Sequence, residues 1–177
     1  MRGMCFSALD LAAILSGMEL GSRAESEFLD RIWDNERAFL APEYRCNRRM
    51  LILDMMYWTH YFSDKMALDN EFPAIAKDFE HISGEFRREA YFYDGYDLDL
   101  FFKNARLRIL YGGKQDYIRL KLRTLLKEYG YKRRSNQLIE RISRCMYFYH
   151  IEATLRGSTP CRIDEIGIDE MLTFRVV

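Results

Sequence analysis

The stretch CNRRMLILDMMYWTHYFSDKMALD, Cys46 to Asp69, sets the terms for the first half of the chain. It holds no glycine or proline, and its apolar side chains cover most of a helix circumference, so it is expected as a buried central helix over about Asn47–Leu68. Such a helix gains most of its stability from other helices laid against it.

The flanking sequence supplies them. Ser7 suits an N-cap with Asp10 at the third helical position; Leu11, Ile14, Leu15 and Met18 continue the apolar face, and Gly21 reads as the stop, predicting a helix over Ala8–Leu20. Phe28, Leu29, Ile32, Trp33, Phe39 and Leu40 recur at helical spacing up to Pro42, whose ring disfavours helix at Ala41, so a second helix is expected over Glu25–Leu40. Pro73 fits a helix start, and Ile75, Phe79, Ile82 and Phe86 give a fourth helix over Pro73–Tyr91, with Gly84 its weak point. YDGYDLDLFF, with Gly95 among three aspartates, reads as a connector. A helical domain over residues 1–96 and a second domain over 97–177 follow, expected to pack together because no Pro/Ser-rich linker separates them.

Past the connector the period changes. In NARLRILYGG, Ala105, Leu107, Ile109 and Tyr111 alternate with Arg106 and Arg108 before Gly112-Gly113, which predicts a short strand over Ala105–Tyr111. Asp116–Tyr129 places Ile118, Leu122, Leu125, Leu126 and Tyr129 on one helical face, with Gly130 as its stop. Ser135 sits where an N-cap belongs, and Leu138, Ile139, Ile142, Cys145, Met146 and Tyr149 form the apolar stripe of the next helix. HIEATL alternates again, and EMLTFRVV closes the chain as a strand after the Arg156–Pro160 turn and an acidic loop. The expected class is α+β, mostly helical, with a small three-stranded antiparallel sheet in the C-terminal part.

The formal net charge is zero, yet residues 1–100 hold 11 Lys and Arg against 19 Asp and Glu, a net −8, while residues 101–177 hold 16 against 8, a net +8. Between Lys103 and Arg134 the only acids are Asp116 and Glu128. Such asymmetry points to an anionic partner for the C-terminal part; mutual attraction of the two parts is the competing reading.

The order of elements, the glycine-containing turn YGYKRRS and the closing hairpin resemble the winged helix-turn-helix superfamily over about Asp97–Val177. The resemblance requires Ala105–Tyr111 to pair, as a strand, with the C-terminal hairpin. It implies a non-enzymatic nucleic-acid-binding protein, with DNA the expected target in preference to RNA, and it makes the helix opened by Ser135 the recognition helix. Gln137, Arg141 and Arg144 share one stripe with Phe148, and Gln suits adenine as Arg suits guanine in a major groove. Lys132, Arg133 and Arg134 precede that helix N-terminus, where a phosphate would meet side-chain and backbone donors together; a solvated basic turn is the bland alternative. Arg106, Arg108, Lys114 and Arg119 extend the basic set. One departure is the expected wing, whose Asp164, Glu165, Asp169 and Glu170 would repel DNA. The rival function is a protein-interaction or inhibitor module that uses the charged and aromatic faces.

Other chemistries find little support. His60 and Asp64 lie four apart without a second pair to complete a metal site, and Asp94, Asp97 and Asp99 lack the EF-hand spacing. Glu85 and Glu89 are the carboxylates from which a metal-dependent nuclease could be assembled, but no catalytic motif is present, so no enzyme, metal or cofactor is expected. Cys5, Cys46, Cys145 and Cys161 are widely spaced, which suits reduced thiols in the cytoplasm, and the first apolar run, broken by Asp10, is too short and polar for a membrane span. The aromatic density of the first part, with Trp33, Tyr57, Trp58, Tyr61, Phe62, Tyr91, Phe92 and Tyr93, suggests a homodimer contact or protein partner for the N-terminal part.

Overall fold

The structure is a computed structural model and describes residues 4–18, 20–62, 67–82, 98–112, 115–156 and 159–177. It divides into two compact units, Met1–Phe92 and Tyr93–Val177. The fold is α+β and mostly helical, and its sheet is three-stranded and antiparallel.

In the first unit the regular elements among the described residues are helical: α1 (Ala8–Ser16), α2 (Ser22–Asn35), α3 (Arg48–Phe62), α4 (Ala67–Glu71) and α5 (Pro73–Ile82). The Ser7 hydroxyl accepts from the Asp10 N–H at 3.1 Å while the Asp10 carboxylate accepts from the Ser7 N–H at 3.0 Å, a capping box that starts α1. The helix ends earlier than the periodicity predicts because Gly17 caps it, and Gly21 becomes the N-cap of α2 instead. The second helix also stops short, at Asn35. Phe6 forms a parallel bridge with Leu40, donating to the Phe39 carbonyl at 2.7 Å and accepting from the Ala41 N–H at 2.8 Å, and this draws the chain into 3₁₀ turns over Arg37–Phe39 and Pro42–Tyr44.

The central helix is described over Arg48–Phe62, residues 63–66 of the expected span lying outside the described residues, and it is less enclosed than expected. Leu51, Ile52, Met55, Met56 and Thr59 form its buried stripe, with α1 and α5 against it, whereas Tyr57, Trp58 and Phe62 are half-buried and Tyr61 is 64% exposed. Burying Met55 and Met56 completely contributes about 1.5–3 kcal/mol each. Part of the predicted fourth helix, with Glu85 and Glu89, lies outside the described residues, as do Asp64 and residues 93–97 of the connector; its second half, 98–102, is helical and not a connector as expected.

The second unit runs α6 (Leu98–Tyr111), β1 (Ile118–Lys121), α7 (Leu122–Glu128), α8 (Asn136–Phe148), β2 (Ile151–Thr154) and β3 (Met171–Val176). The strand expected at Ala105–Tyr111 is therefore wrong, and the resemblance as framed loses its first strand. Leu98, Phe101, Phe102 and Ala105 follow i, i+3, i+4, i+7, a helical stripe longer than the alternation that overlaps it, and Lys103 and Arg106 are buried as well.

The strand instead comes from the start of the helix predicted over Asp116–Tyr129. Ile118 and Leu120 lie opposite Phe174 and Leu172 of β3, while Ile151 and Ala153 of β2 lie opposite Val176 and Phe174, giving the order β1-β3-β2. Pairing with β3 outweighs the local helical pattern over these four residues. Phe174 packs edge-on to Phe101 and Phe102 at 5.8 and 6.0 Å, so α6 closes over the sheet. His150, at φ 51°, makes the tight link from α8 into β2.

Candidate nucleic-acid interface

The elbow between α7 and α8 is held in place at both ends. Gly130 has φ 75°; its N–H donates to the Lys127 carbonyl at 3.2 Å and the Tyr131 N–H to the Leu126 carbonyl at 2.8 Å, the paired bonds of a Schellman motif. Five residues later the Ser135 hydroxyl accepts from the Leu138 N–H at 3.3 Å and opens α8.

Lys132 and Arg133 are exposed on this elbow, but Arg134 is not available in the same way. Its Nη1 donates to the Ile163 carbonyl at 2.9 Å and also to the Ile166 carbonyl, fastening the elbow to the β2–β3 loop. That loop is anchored further by buried Ile163 and Ile166, and its carbonyls at Ile168 and Glu170 accept from the Arg123 and Leu122 N–H groups at 2.7 and 3.3 Å. The first amides of α7 are thereby satisfied.

The acidic loop is partly neutralised within the unit. Arg123 grips Asp169 with two hydrogen bonds of 2.6 and 2.8 Å, and Arg162 holds Asp164 at 2.8 and 3.2 Å with Glu165 at 3.4 Å. The hydrogen bond from Arg123 holds the Asp169 carboxyl below its ordinary pKa, and the one from Arg162 does the same for Asp164. The repulsion anticipated from the sequence is reduced accordingly.

The remaining sequence candidates divide. Arg106 is 7% exposed and its Nη1 donates to the Tyr149 carbonyl at 2.7 Å, so it belongs to the interior and cannot meet a phosphate as expected. Arg108 and Arg119 are exposed, Arg119 on the outer face of β1, and Lys114 lies outside the described residues. On α8, Gln137 is exposed. Arg141 sits on the helix flank and reaches Asp99 of α6 at 3.3–3.4 Å, and Asp99 also accepts from the Cys145 thiol at 3.0 Å; the expectation that Arg141 is free to reach outward is corrected. Arg144 pairs with Glu140 one turn back at 3.2 Å, an exposed pair worth little.

Sequence reasoning passed over three residues. Arg123 and Lys127, one turn apart on α7, share a cleft with Lys132, Arg133 and Arg134. Their i, i+4 spacing was the available signal. Tyr147, 86% exposed on the outward side of α8, had none, since its neighbours Met146 and Phe148 are apolar too.

Among the described residues no group of His, Cys, Asp and Glu could hold a metal ion, and no helix is long and apolar enough to cross a membrane. His60 turns to Asp69, 2.8 Å away. Compared with protein-family models, with curated proteins and with solved structures, the chain matches none.

Proposed function

We propose that the second unit is a nucleic-acid-binding module with α8 in the position of a recognition helix; the winged-helix resemblance fails in the form that required Ala105–Tyr111 as a strand, and what supports it now is the order α6, β1, α7, α8, β2, β3 with Ile118–Lys121 as the first strand. The observation that carries the reading is the elbow: Lys132 and Arg133 project from a hydrogen-bonded turn, beside Lys127, with no ion pair among the described residues. Cations that the fold leaves without a carboxylate are suited to phosphate. Gln137 is the base-edge candidate on α8, and Glu140, which can accept from cytosine N4, joins it on the exposed side. The protein is proposed to act without catalysis, in the cytoplasm, and on DNA in preference to RNA.

The test is binding of the full chain to duplex DNA at about 50 and 200 mM salt, where several phosphate contacts predict a steep loss of affinity. Salt-independent binding of the duplex, or binding of neither duplex nor single strand, would refute the reading. Protein interaction stays a second reading for the first unit, because Tyr57, Trp58, Tyr61 and Phe62 form a chain of edge-on aromatic contacts at 5.0–5.7 Å that passes through exposed Tyr61.

A further inference from the structure

The elbow does more than display charge, because it closes one side of a cleft of about 610 Å3. That volume falls within the range of about 300–1,000 Å3 typical of clefts that take small ligands. Its cations come from α7 (Arg123 and Lys127) and from the elbow (Lys132, Arg133 and Arg134), and no acidic side chain lines it. Two of these are fixed, Arg123 by Asp169 and Arg134 by the Ile163 and Ile166 carbonyls. Lys127, Lys132 and Arg133 have no ion pair among the described residues and can close on a ligand.

The rest of the wall is of a different kind. Leu126, Ile168 and Tyr131 line the same cleft, so an apolar and aromatic surface sits among five cations. A double helix uses only the charge: its bases are stacked inside, and a recess between its phosphates and the protein goes unfilled. A single strand uses both, since an unpaired base can lie against an aromatic or apolar wall while its neighbouring phosphates meet lysine and arginine.

We propose that this cleft binds single-stranded nucleic acid, holding one unpaired base against Tyr131, Leu126 and Ile168 with the flanking phosphates on Lys127, Lys132 and Arg133. The inference rests on the nucleic-acid reading above and narrows it to a strand form.

The experiment is fluorescence anisotropy of the full chain with a labelled thymidine oligonucleotide of about 12 nucleotides, a length in the range of single-strand sites, and with a blunt duplex of the same length. The single strand is expected to bind at least about tenfold more tightly. Tyr131→Ala should weaken single-strand binding about 5- to 100-fold and leave duplex binding unchanged, while Tyr131→Phe keeps the single-strand affinity. The double variant Lys132→Ala/Arg133→Ala, which alters only exposed side chains, should reduce the single-strand salt slope by about 0.7 for each lost phosphate contact. Duplex binding equal to or tighter than single-strand binding, or an unchanged slope in the double variant with single strands, overturns the cleft proposal and leaves the nucleic-acid reading standing. Binding to neither probe overturns both.

Discussion

The two units bury charge in opposite ways. In the first, the buried charged side chains among the described residues are the carboxylates Asp10, Glu25 and Glu36; in the second, Lys103 and Arg106 are buried along with Asp99. The first unit carries the acidic excess and the second the basic one, so each takes some of its majority charge inside. Counting residues therefore overstates the positive surface of the second unit. Arg106 and Arg134 are committed to backbone carbonyls, Arg123 to Asp169 and Arg141 to Asp99, so at the elbow the open charge is left to Lys127, Lys132 and Arg133. The difference teaches that a basic sequence becomes a basic face only where the fold leaves guanidinium and ammonium groups without an internal acceptor.

The comparison predicts how variants separate. The largest effects should come from the apolar cores: Ile142→Ala in the second unit and Met55→Ala in the first, both fully buried, should each cost about 2–5 kcal/mol in chemical denaturation, with Leu138→Ala at about 2–4 kcal/mol. An Ile142→Ala protein with the parent's midpoint would show that α8 does not pack as described. Arg106→Ala should come next, at about 1–3 kcal/mol, because it leaves the Tyr149 carbonyl buried without its donor. Its salt dependence of nucleic-acid binding should equal the parent's. A reduced slope in Arg106→Ala would mean that the side chain reaches phosphate after all.

Gly130→Ala should cost about 1–2 kcal/mol, the penalty of a Cβ in left-handed backbone, since the space around the position is open and nothing else is disturbed. Thermal melting that matched the parent would argue against the Schellman turn. Because the cleft is built on that turn, Gly130→Ala also separates elbow geometry from elbow charge: binding should weaken while all cations remain.

Much of this was legible in the sequence where a local rule acts alone. Ser7, Ser135 and Gly130 announce their caps and turn because capping depends on a few adjacent residues. The helices at Ala8, Pro73 and Asn136 start where their signals predict. The α6/β1 region was misread for a physical reason: Ala105–Tyr111 alternates by coincidence within a helix buried on several sides, and Ile118–Lys121 becomes a strand only through β3, about fifty residues further along. The site was legible at Lys132 and Arg133, whose neighbours offer no acid. It was illegible at Arg106, Arg134 and Arg141, whose acceptors are 29–43 residues away in the chain.

The smallest effect is the one that tests the comparison most directly, because single carboxylates in the two units should respond to acid with opposite sign. Asp54, on α3, accepts from the Tyr44 hydroxyl at 2.7 Å, yet burial raises its pKa above the ordinary carboxylate value, outweighing that hydrogen bond, and nearby Glu43 raises it further. A raised folded pKa means that the folded state binds the proton more tightly, so this group's contribution to stability is complete below the unfolded value of about 3.9 and is lost as pH rises through the folded value. Asp169 is the converse. Its folded pKa is lowered by Arg123, so its contribution is present above about 3.9 and is lost as pH falls through the folded value. Asp54→Asn keeps an oxygen for Tyr44 and removes the charge; it should melt slightly above the parent at about pH 7, and that advantage should shrink as the pH falls through the raised folded value of Asp54 and the parent's carboxylate takes up its proton. Asp169→Asn should melt slightly below the parent at about pH 7 and converge with it only as the pH falls through the lowered folded value of Asp169. Melting curves of the two variants against the parent across that range decide the matter: shifts of the same sign would mean that the two units do not hold their carboxylates differently.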